Sequence, residues 1–130
     1  MAQQPPVLHL DTHVVCWLYA GRTDHLSERV QILIEQHTLH ISPWVLCELQ
    51  AMHEKGVLTL PAAPLFDDLE RRLGLQIAPG EASAIAKASF AMAWAQDPYD
   101  RMIVAHAKLA EVPLASKDAH LHTHFPQVVW

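Results

Sequence analysis

The sequence is short of positive charge and has no long hydrophobic segment. Its 130 residues include 9 Lys and Arg against 14 Asp and Glu, and the formal net charge is -5 at pH 7. This is the wrong sign for a protein that coats nucleic acid by phosphate neutralisation alone. No segment approaches the ~20 consecutive apolar residues of a membrane span, because polar side chains interrupt even the alanine-rich stretch 82–95. We therefore expect a protein that neither coats nucleic acid by charge nor spans a membrane.

Cysteine is also rare, with Cys16 and Cys47 the two in the chain. Both lie among apolar residues, which predicts buried, reduced thiols rather than a disulfide framework. Residues 1–6 lack the basic segment and the long apolar core of a secretory signal. We therefore expect a cytoplasmic protein.

Hydrophobic residues make up 51% of the chain and charged residues 18%, a balance typical of an ordinary globular domain. Short apolar segments predict strands at 7–10, 39–41, 75–78, 113–115 and 128–130. Longer segments predict helices at 14–20, 28–36, 43–55, 65–73, 80–94 and 97–110. The stretch 57–64 carries two prolines and predicts a loop. This alternation predicts a single domain over residues 1–130, an α/β fold in which helices cover both faces of a mainly parallel central sheet.

Two aspartates follow predicted strands. In an open parallel sheet, ligands bind beyond the carboxyl ends of the strands. Asp11 comes directly after the first strand, and Asp118 lies three residues past Ala115. Both also suit a loop or capping role, since aspartate is common in turns.

Glu48 lies on the apolar face of its predicted helix, between Trp44 and Met52, whereas Glu54 lies on the polar side. An unpaired carboxylate that faces a core is costly. We therefore expect Glu48 to meet a cation, a hydrogen-bond cluster or the edge of a cleft. A structural salt bridge is the alternative.

The segment 97–101 begins a predicted helix. Asp97 suits the N-cap, and Asp100 is an acid of the first turn, which the helix dipole favours. Capping accounts fully for Asp97. Capping does not account for Asp100, which lies near Ile103 and Ala107 at the margin of the apolar face of the helix.

If Asp11, Glu48, Asp100 and Asp118 converge in the fold, their charges repel one another. At ~4 Å each pair costs roughly 4 kcal/mol with an effective dielectric constant near 20. A cation therefore has to lie among them. Oxygen ligands without Cys or His select hard divalent ions, chiefly Mg²⁺ or Mn²⁺. Such ions polarise a phosphodiester and activate water.

The chain resembles the PIN-domain ribonucleases, and within them the VapC-like toxins of bacterial toxin–antitoxin pairs. The similarity covers nearly the whole chain. It is carried by LDTH at 10–13, SPWVLCEL at 42–49, DPYDRMIVAHA at 97–107, ASKD at 115–118 and the closing VVW. The segment 97–107 is the most specific of these.

The resemblance implies a three-layer α/β/α sandwich of the PIN type. It implies catalytic acids that hold Mg²⁺, or Mn²⁺, with one further acidic ligand and two assisting hydroxyl residues. The catalytic acids are Asp11, Glu48, Asp100 and Asp118, the further ligand is Asp97, and the assisting residues are Thr12 and Ser116. Relatives often have Thr where this chain has Ser116, which also supplies a hydroxyl.

The resemblance further implies an endoribonuclease toxin that hydrolyses RNA phosphodiesters with metal-activated water. Its expected partners are RNA and a cognate VapB-like antitoxin, in a homodimer or a toxin–antitoxin oligomer. We expect a hydrophobic groove for the antitoxin between helices of 22–36 and 51–73. The alternative function is a PIN-like binding or regulatory module with weak or no catalysis.

Other residues have less specific interpretations. His120 and His124, four residues apart, suggest zinc, but no third ligand stands at a recognised spacing. The four tryptophans, among them Trp17 and Trp94, are expected to be core anchors rather than base-stacking surfaces. Candidate phosphate contacts are Arg22, Arg71, Arg72, Lys87 and Lys117.

Overall fold

A five-stranded parallel sheet organises residues 4–130, the part of the chain that the computed structural model describes. Its strands are β1 Val7–Leu10, β2 Thr38–Ile41, β3 Gln76–Ile77, β4 Leu114–Ala115 and β5 Val128–Val129. The order across the sheet is β3-β2-β1-β4-β5, and every neighbouring pair is parallel. This confirms the predicted α/β sandwich.

Helices connect the strands. They are α1 Thr12–Ala20, α2 Glu28–Gln36, α3 Pro43–Glu54, α4 Ala62–Leu73, α5 Ala82–Ser89, α6 Pro98–Ala110 and α7 Ala119–His124, with a 3-10 turn at Thr23–His25. Within residues 4–130, none of these helices is long and apolar enough to cross a bilayer.

The central strands form the core of the molecule. Leu8 and Leu10 of β1 and Leu114 and Ala115 of β4 are fully buried. Such nearly continuous apolar strands are typical of a parallel sheet covered on both faces. The chain leaves β1 towards β2 on one side and arrives at β4 on the other. The carboxyl ends of β1 and β4 therefore form the topological switch point, where α/β proteins bind ligands.

Side-chain caps fix where several helices begin. Ser27 accepts a hydrogen bond from the Val30 N–H, Ser42 caps α3, and Asp97 caps α6. These three caps confirm the helix starts predicted from the sequence, because an N-cap oxygen satisfies N–H groups that have no partner within the helix.

The main differences from the predicted elements lie at the start of α4, at the end of α5 and at α7. The predicted loop 57–64 ends early, because α4 begins at Ala62 with Pro61 as its N-cap and Pro64 in the first turn. A first-turn proline is tolerated there, since the first N–H groups of a helix make no intrahelical bond. The predicted helix 80–94 is limited to α5, and the sequence analysis missed α7.

A buried histidine links α6 to the loop after β3. The His106 Nδ1 lies 2.8 Å from the Ser42 hydroxyl, and its Nε2 lies 2.9 Å from the Pro79 carbonyl oxygen. Because a carbonyl can only accept, Nε2 carries the hydrogen, and in the neutral ring Nδ1 accepts from Ser42. The ring thus ties Ser42, the cap of α3, to the adjacent loop.

We expect Gly80→Ala to destabilise the protein through this histidine. A Cβ at Gly80 would lie 2.8 Å from His106 Nε2 and 3.1 Å from Ile85 Cδ1. Displacement of the ring breaks its bond to Pro79, at a cost of about 1–3 kcal/mol in the free energy of unfolding. Urea unfolding measures this loss. In a His106→Ala background the same Gly80 substitution should cost less, because only the contact with Ile85 and the positive φ of 158° at this position remain, and an equal loss in both backgrounds would contradict the explanation.

Candidate functional site

Asp11 lies at the switch point, immediately after β1. Its side chain is buried and accepts a hydrogen bond from the Thr12 N–H at 2.8 Å, which caps α1. Its second carboxylate oxygen accepts a hydrogen bond from the Ser116 hydroxyl at 2.7 Å. Ser116 follows β4 directly, so the two central strands fix both oxygens of one carboxylate.

Glu48 approaches from α3, in a half-buried position. The Thr12 hydroxyl donates to its carboxylate in a short hydrogen bond. No ion pair reaches Glu48 in the described chain. The structure thus favours a hydrogen-bond partner over the structural salt bridge considered for this residue.

Asp118 and Asp97 cap the two helices that border the site. Asp118 accepts from the His120 N–H at 2.8 Å, and its own N–H donates to the Ser116 hydroxyl oxygen at 3.1 Å. Asp97 accepts from the Tyr99 N–H at 2.8 Å. Both residues are exposed, and in each carboxylate the capping hydrogen bonds use one oxygen, Oδ1.

The effect of neighbouring charges on Asp100 shows that the five acids converge. Burial and, after it, the charges of the other four acids together raise the pKa of Asp100 to about 7. Those four are Asp11, Asp97, Glu48 and Asp118. Every acid that the sequence analysis singled out therefore lies close enough to disfavour the charged form of Asp100.

Two of the other acids also have a raised pKa. Burial raises the pKa of Asp11, against the opposing effect of the Ser116 hydrogen bond. Burial likewise raises the pKa of Glu48, while the Thr12 hydrogen bond opposes the shift. The hydroxyl residues Thr12 and Ser116 thus stabilise the charged carboxylates that they contact.

Within residues 4–130 no Lys or Arg side chain forms an ion pair with these acids, although the charge of His13 opposes the rise in the pKa of Asp11 and of Glu48. The ion pairs there join Arg22 to Asp24 and join Arg71 and Arg72 to Asp68. Three of the candidate phosphate contacts are therefore engaged elsewhere. The donor set consists of carboxylate and hydroxyl oxygens, which fits Mg²⁺ or Mn²⁺.

The acids lie near one another but do not surround one common point. Across the described residues, no three His, Cys, Asp or Glu side chains are placed to hold one ion together. Thr12 holds Glu48, and Asp97 and Asp118 cap helices. Ligation of one ion by three of these acids therefore requires some of these side chains to rotate.

A small pocket of about 230 Å³ adjoins the acids. Besides Asp11, Ser116 and Asp118, it is lined by His13, Trp17 and Lys117. The sequence predicts no role for His13 and a core position for Trp17. The signal that could have found them is their spacing of four residues on the helix that Asp11 caps, which places both on one face.

Two other expectations concern the cysteines and the histidine His124. Cys47 is exposed and Cys16 is only half-buried, so the prediction of two buried thiols is wrong, although both are free. Burial raises the pKa of Cys16 to about 11. His124 stacks on Trp94 with ring centroids 4.5 Å apart, so this pair packs the structure together.

A larger apolar groove lies between α3 and α4. Its volume is about 590 Å³. Its lining residues are Leu46, Cys47, Gln50, Ala51, Glu54, Ala62, Ala63, Phe66, Asp67 and Tyr99. Residues of the predicted stretch 51–73 line it, whereas α2 does not, so this is not the groove predicted between the helices of 22–36 and 51–73, which stays a prediction.

A family model described as PIN domain matches residues 8–124. Three solved structures are similar to the chain at 19% identity: VapBC2 from Rickettsia felis bound to a promoter DNA fragment, DNA-bound VapBC from Salmonella typhimurium, and VapBC-1 from nontypeable Haemophilus influenzae. In the same order, their TM-scores are 0.68, 0.62 and 0.65. Each alignment covers 95% of this chain and, respectively, 96%, 95% and 96% of the matched chain. At this identity the likeness shows the fold. No curated protein matches the sequence significantly.

Proposed function

The chain belongs to the PIN domain family, and from this premise we propose that it is a metal-dependent endoribonuclease, the toxin of a toxin–antitoxin pair in the cytoplasm. The observation that carries the proposal is the proximity of four other acids to Asp100, with no ion pair from Lys or Arg to any of the five in the described chain. Charges of one sign held together at a switch point need a cation.

The residues that would hold Mg²⁺ or Mn²⁺ are Asp11, Glu48, Asp100 and Asp118, with Asp97 as a further ligand. A divalent ion bound there supplies charge that polarises the scissile phosphodiester and lowers the pKa of water. No covalent intermediate with the protein is involved.

The chain's own residues orient the ligands. Ser116 donates to Asp11 at 2.7 Å and accepts from the Asp118 N–H at 3.1 Å, so one hydroxyl fixes the spacing of two acids. Thr12 does the same for Asp11 and Glu48, through its N–H and its hydroxyl. Such hydrogen-bonded supports limit the motion of metal ligands and thereby increase affinity.

The test is to sequence RNA ends after controlled expression of the wild-type protein beside Asp100→Asn. We expect new RNA ends and growth inhibition with the wild type and neither with the variant. Absence of cleavage by purified wild-type protein with either Mg²⁺ or Mn²⁺ would instead support the alternative, a binding module that uses the fold without catalysis.

The partner in this proposal is a VapB-like antitoxin, as in the VapBC complexes that share the fold. The groove between α3 and α4 suits a segment of such a partner. Leu46 and Phe66 provide an apolar surface, and Glu54 and Asp67 add negative charge. An apolar segment with flanking Lys or Arg complements this groove in both respects.

We expect Ala63→Glu to weaken this association roughly tenfold or more, because it adds bulk and negative charge to the groove. Ala63 is exposed in the first turn of α4, where glutamate is compatible with the helix. The matched control is Ala84→Glu, an exposed first-turn alanine of α5. Titration with the purified antitoxin measures affinity, and RNA cleavage by both variants should be unchanged. Equal affinities of the two variants would place the partner elsewhere.

A further inference from the structure

The pocket beside the acids has features that the metal site does not need. Its volume is about 230 Å³, and it adds an aromatic ring, an imidazole and an ammonium group to the acidic wall. We propose that this pocket binds one base of single-stranded RNA next to the scissile phosphate, with Trp17 as the stacking surface. The inference rests on the proposed ribonuclease function.

Trp17 is held in place by other aromatic rings. His25 stacks on the indole with centroids 5.3 Å apart and an interplanar angle of 10°. Trp130 packs against it at 5.9 Å and 56°. The indole is only partly buried, and part of its surface lines the pocket. Because a ring that is already fixed loses little conformational entropy on binding, Trp17 is a favourable surface for stacking.

His13 and Lys117 complete the features that a nucleotide requires. His13 is exposed one helical turn before Trp17, with the two ring centroids 6.1 Å apart, and offers a ring nitrogen to the edge of a base. Lys117 is exposed, and within residues 4–130 no carboxylate forms an ion pair with it. Its charge can therefore meet the phosphate that joins the stacked base to its neighbour.

Size favours a single base over a protein segment. A volume of about 230 Å³ lies below the ~300–1,000 Å³ of sites for drug-sized ligands. A peptide segment finds more room and more apolar surface in the groove between α3 and α4, which has a volume of about 590 Å³. Single-stranded RNA can turn one base out of its stack, as the pocket requires.

The experiment combines a change in the protein with a change in the RNA. Short single-stranded RNA oligonucleotides that contain a mapped cleavage site are made with one abasic nucleotide, placed in turn at each position beside that site. The wild type should lose roughly 5- to 150-fold in kcat/KM at one position, the range expected for loss of one stacked base. Trp17→Leu should lose a similar factor on intact RNA and show no further loss at that abasic position. Trp17→Phe should restore the dependence on the base.

A purely structural role for Trp17 predicts a different result. It would lower cleavage of intact and abasic RNA alike and leave the abasic loss unchanged. The matched control is Trp94→Leu, because Trp94 also stacks on a histidine, His124, at 4.5 Å and 12°, but does not line this pocket. This variant should keep the full abasic loss. Thermal unfolding of each variant shows whether the fold is retained.

Failure of the inference and failure of the proposed function give different results. If the wild type cleaves RNA but is indifferent to every abasic position, the pocket binds no base and the inference is overturned while the nuclease stands. If the wild type cleaves no RNA, the nuclease fails. Binding of a short single-stranded RNA, intact or with one abasic nucleotide placed in turn at each position, is then measured by fluorescence anisotropy for the wild type and Trp17→Leu, and additive losses would overturn the inference.

Discussion

Asp100→Asn should remove RNA cleavage almost completely, with a loss in kcat/KM of at least about 100-fold. Substitution of residues that merely support metal ligands typically costs 10–100-fold, so loss of a charged ligand should cost more. Asn keeps the shape of the side chain but lacks the charge that balances a divalent ion. Asp100 is also the acid that all four others influence, so it is the centre of the cluster.

Cleavage of a defined RNA oligonucleotide by purified protein, in Mg²⁺ and in Mn²⁺, measures this effect. Glu35→Gln is the matched control, because it removes one negative charge from an exposed position on α2, outside the acidic site. It should cleave as the wild type does. Cleavage by Asp100→Asn within a few-fold of the wild type would remove Asp100 from the mechanism.

The same substitution should stabilise the metal-free protein at neutral pH. The pKa of Asp100 is raised to about 7 in the folded state from an ordinary 3.8. The folded protein therefore retains a proton that the unfolded chain has released. This contribution to stability is full below pH 3.8 and is lost as the pH rises through about 7. Asn does not titrate, so it is free of this loss.

Because Asp100 is partly solvated, we expect a gain of order 1 kcal/mol for Asp100→Asn above pH 7, or a few degrees in the melting temperature. The gain should shrink towards zero near pH 4. Thermal or urea unfolding between pH 4 and 8 with a chelator present measures it. A gain that is independent of pH would mean that the effect comes from packing rather than from charge.

The titration of His9 changes stability with pH in the opposite direction, in the wild type and in Asp100→Asn alike. Burial, followed by the charges of His106 and His40, lowers the pKa of His9 to about 3. Its neutral form is therefore favoured in the fold, and stability is lost as the pH falls from 6.5 towards 3. The contributions of His9 and Asp100 therefore oppose each other in the wild type in this range. The difference in stability between the wild type and Asp100→Asn removes the contribution of His9, which both proteins share, and leaves that of Asp100.

Much of the fold could be predicted from local chemistry. Ser27, Ser42 and Asp97 mark helix starts because their side chains accept bonds from unsatisfied N–H groups, and such caps depend on neighbouring residues alone. The apolar runs of β1 and β2 predict buried strands for a similar reason. The four acids proposed from strand ends and helix faces lie near one another, since the charges of the other three raise the pKa of Asp100; their role as metal ligands stays a prediction.

What the sequence could not predict depends on contacts between distant residues. The segment after α5 is alanine-rich and helical by propensity, yet Met92 is buried and Trp94 stacks on His124 of α7, so tertiary packing overrides propensity. The apolar residues around Cys47 do not indicate that it faces an open groove. Helix α7 has six residues, four of them of weak helix propensity, and it is stabilised by its Asp118 cap.

The central claim is that the converged acids form one site for a divalent ion. Isothermal titration of the wild-type protein with Mn²⁺ at pH 7, in buffers of different ionisation enthalpy, tests it most directly. We expect binding that releases about half a proton, because Asp100 with a pKa of about 7 is half protonated there. Asp100→Asn should bind at least roughly tenfold more weakly and without that release. Wild-type protein that binds no Mn²⁺ at millimolar concentration, or a variant that binds it equally well, would contradict the claim.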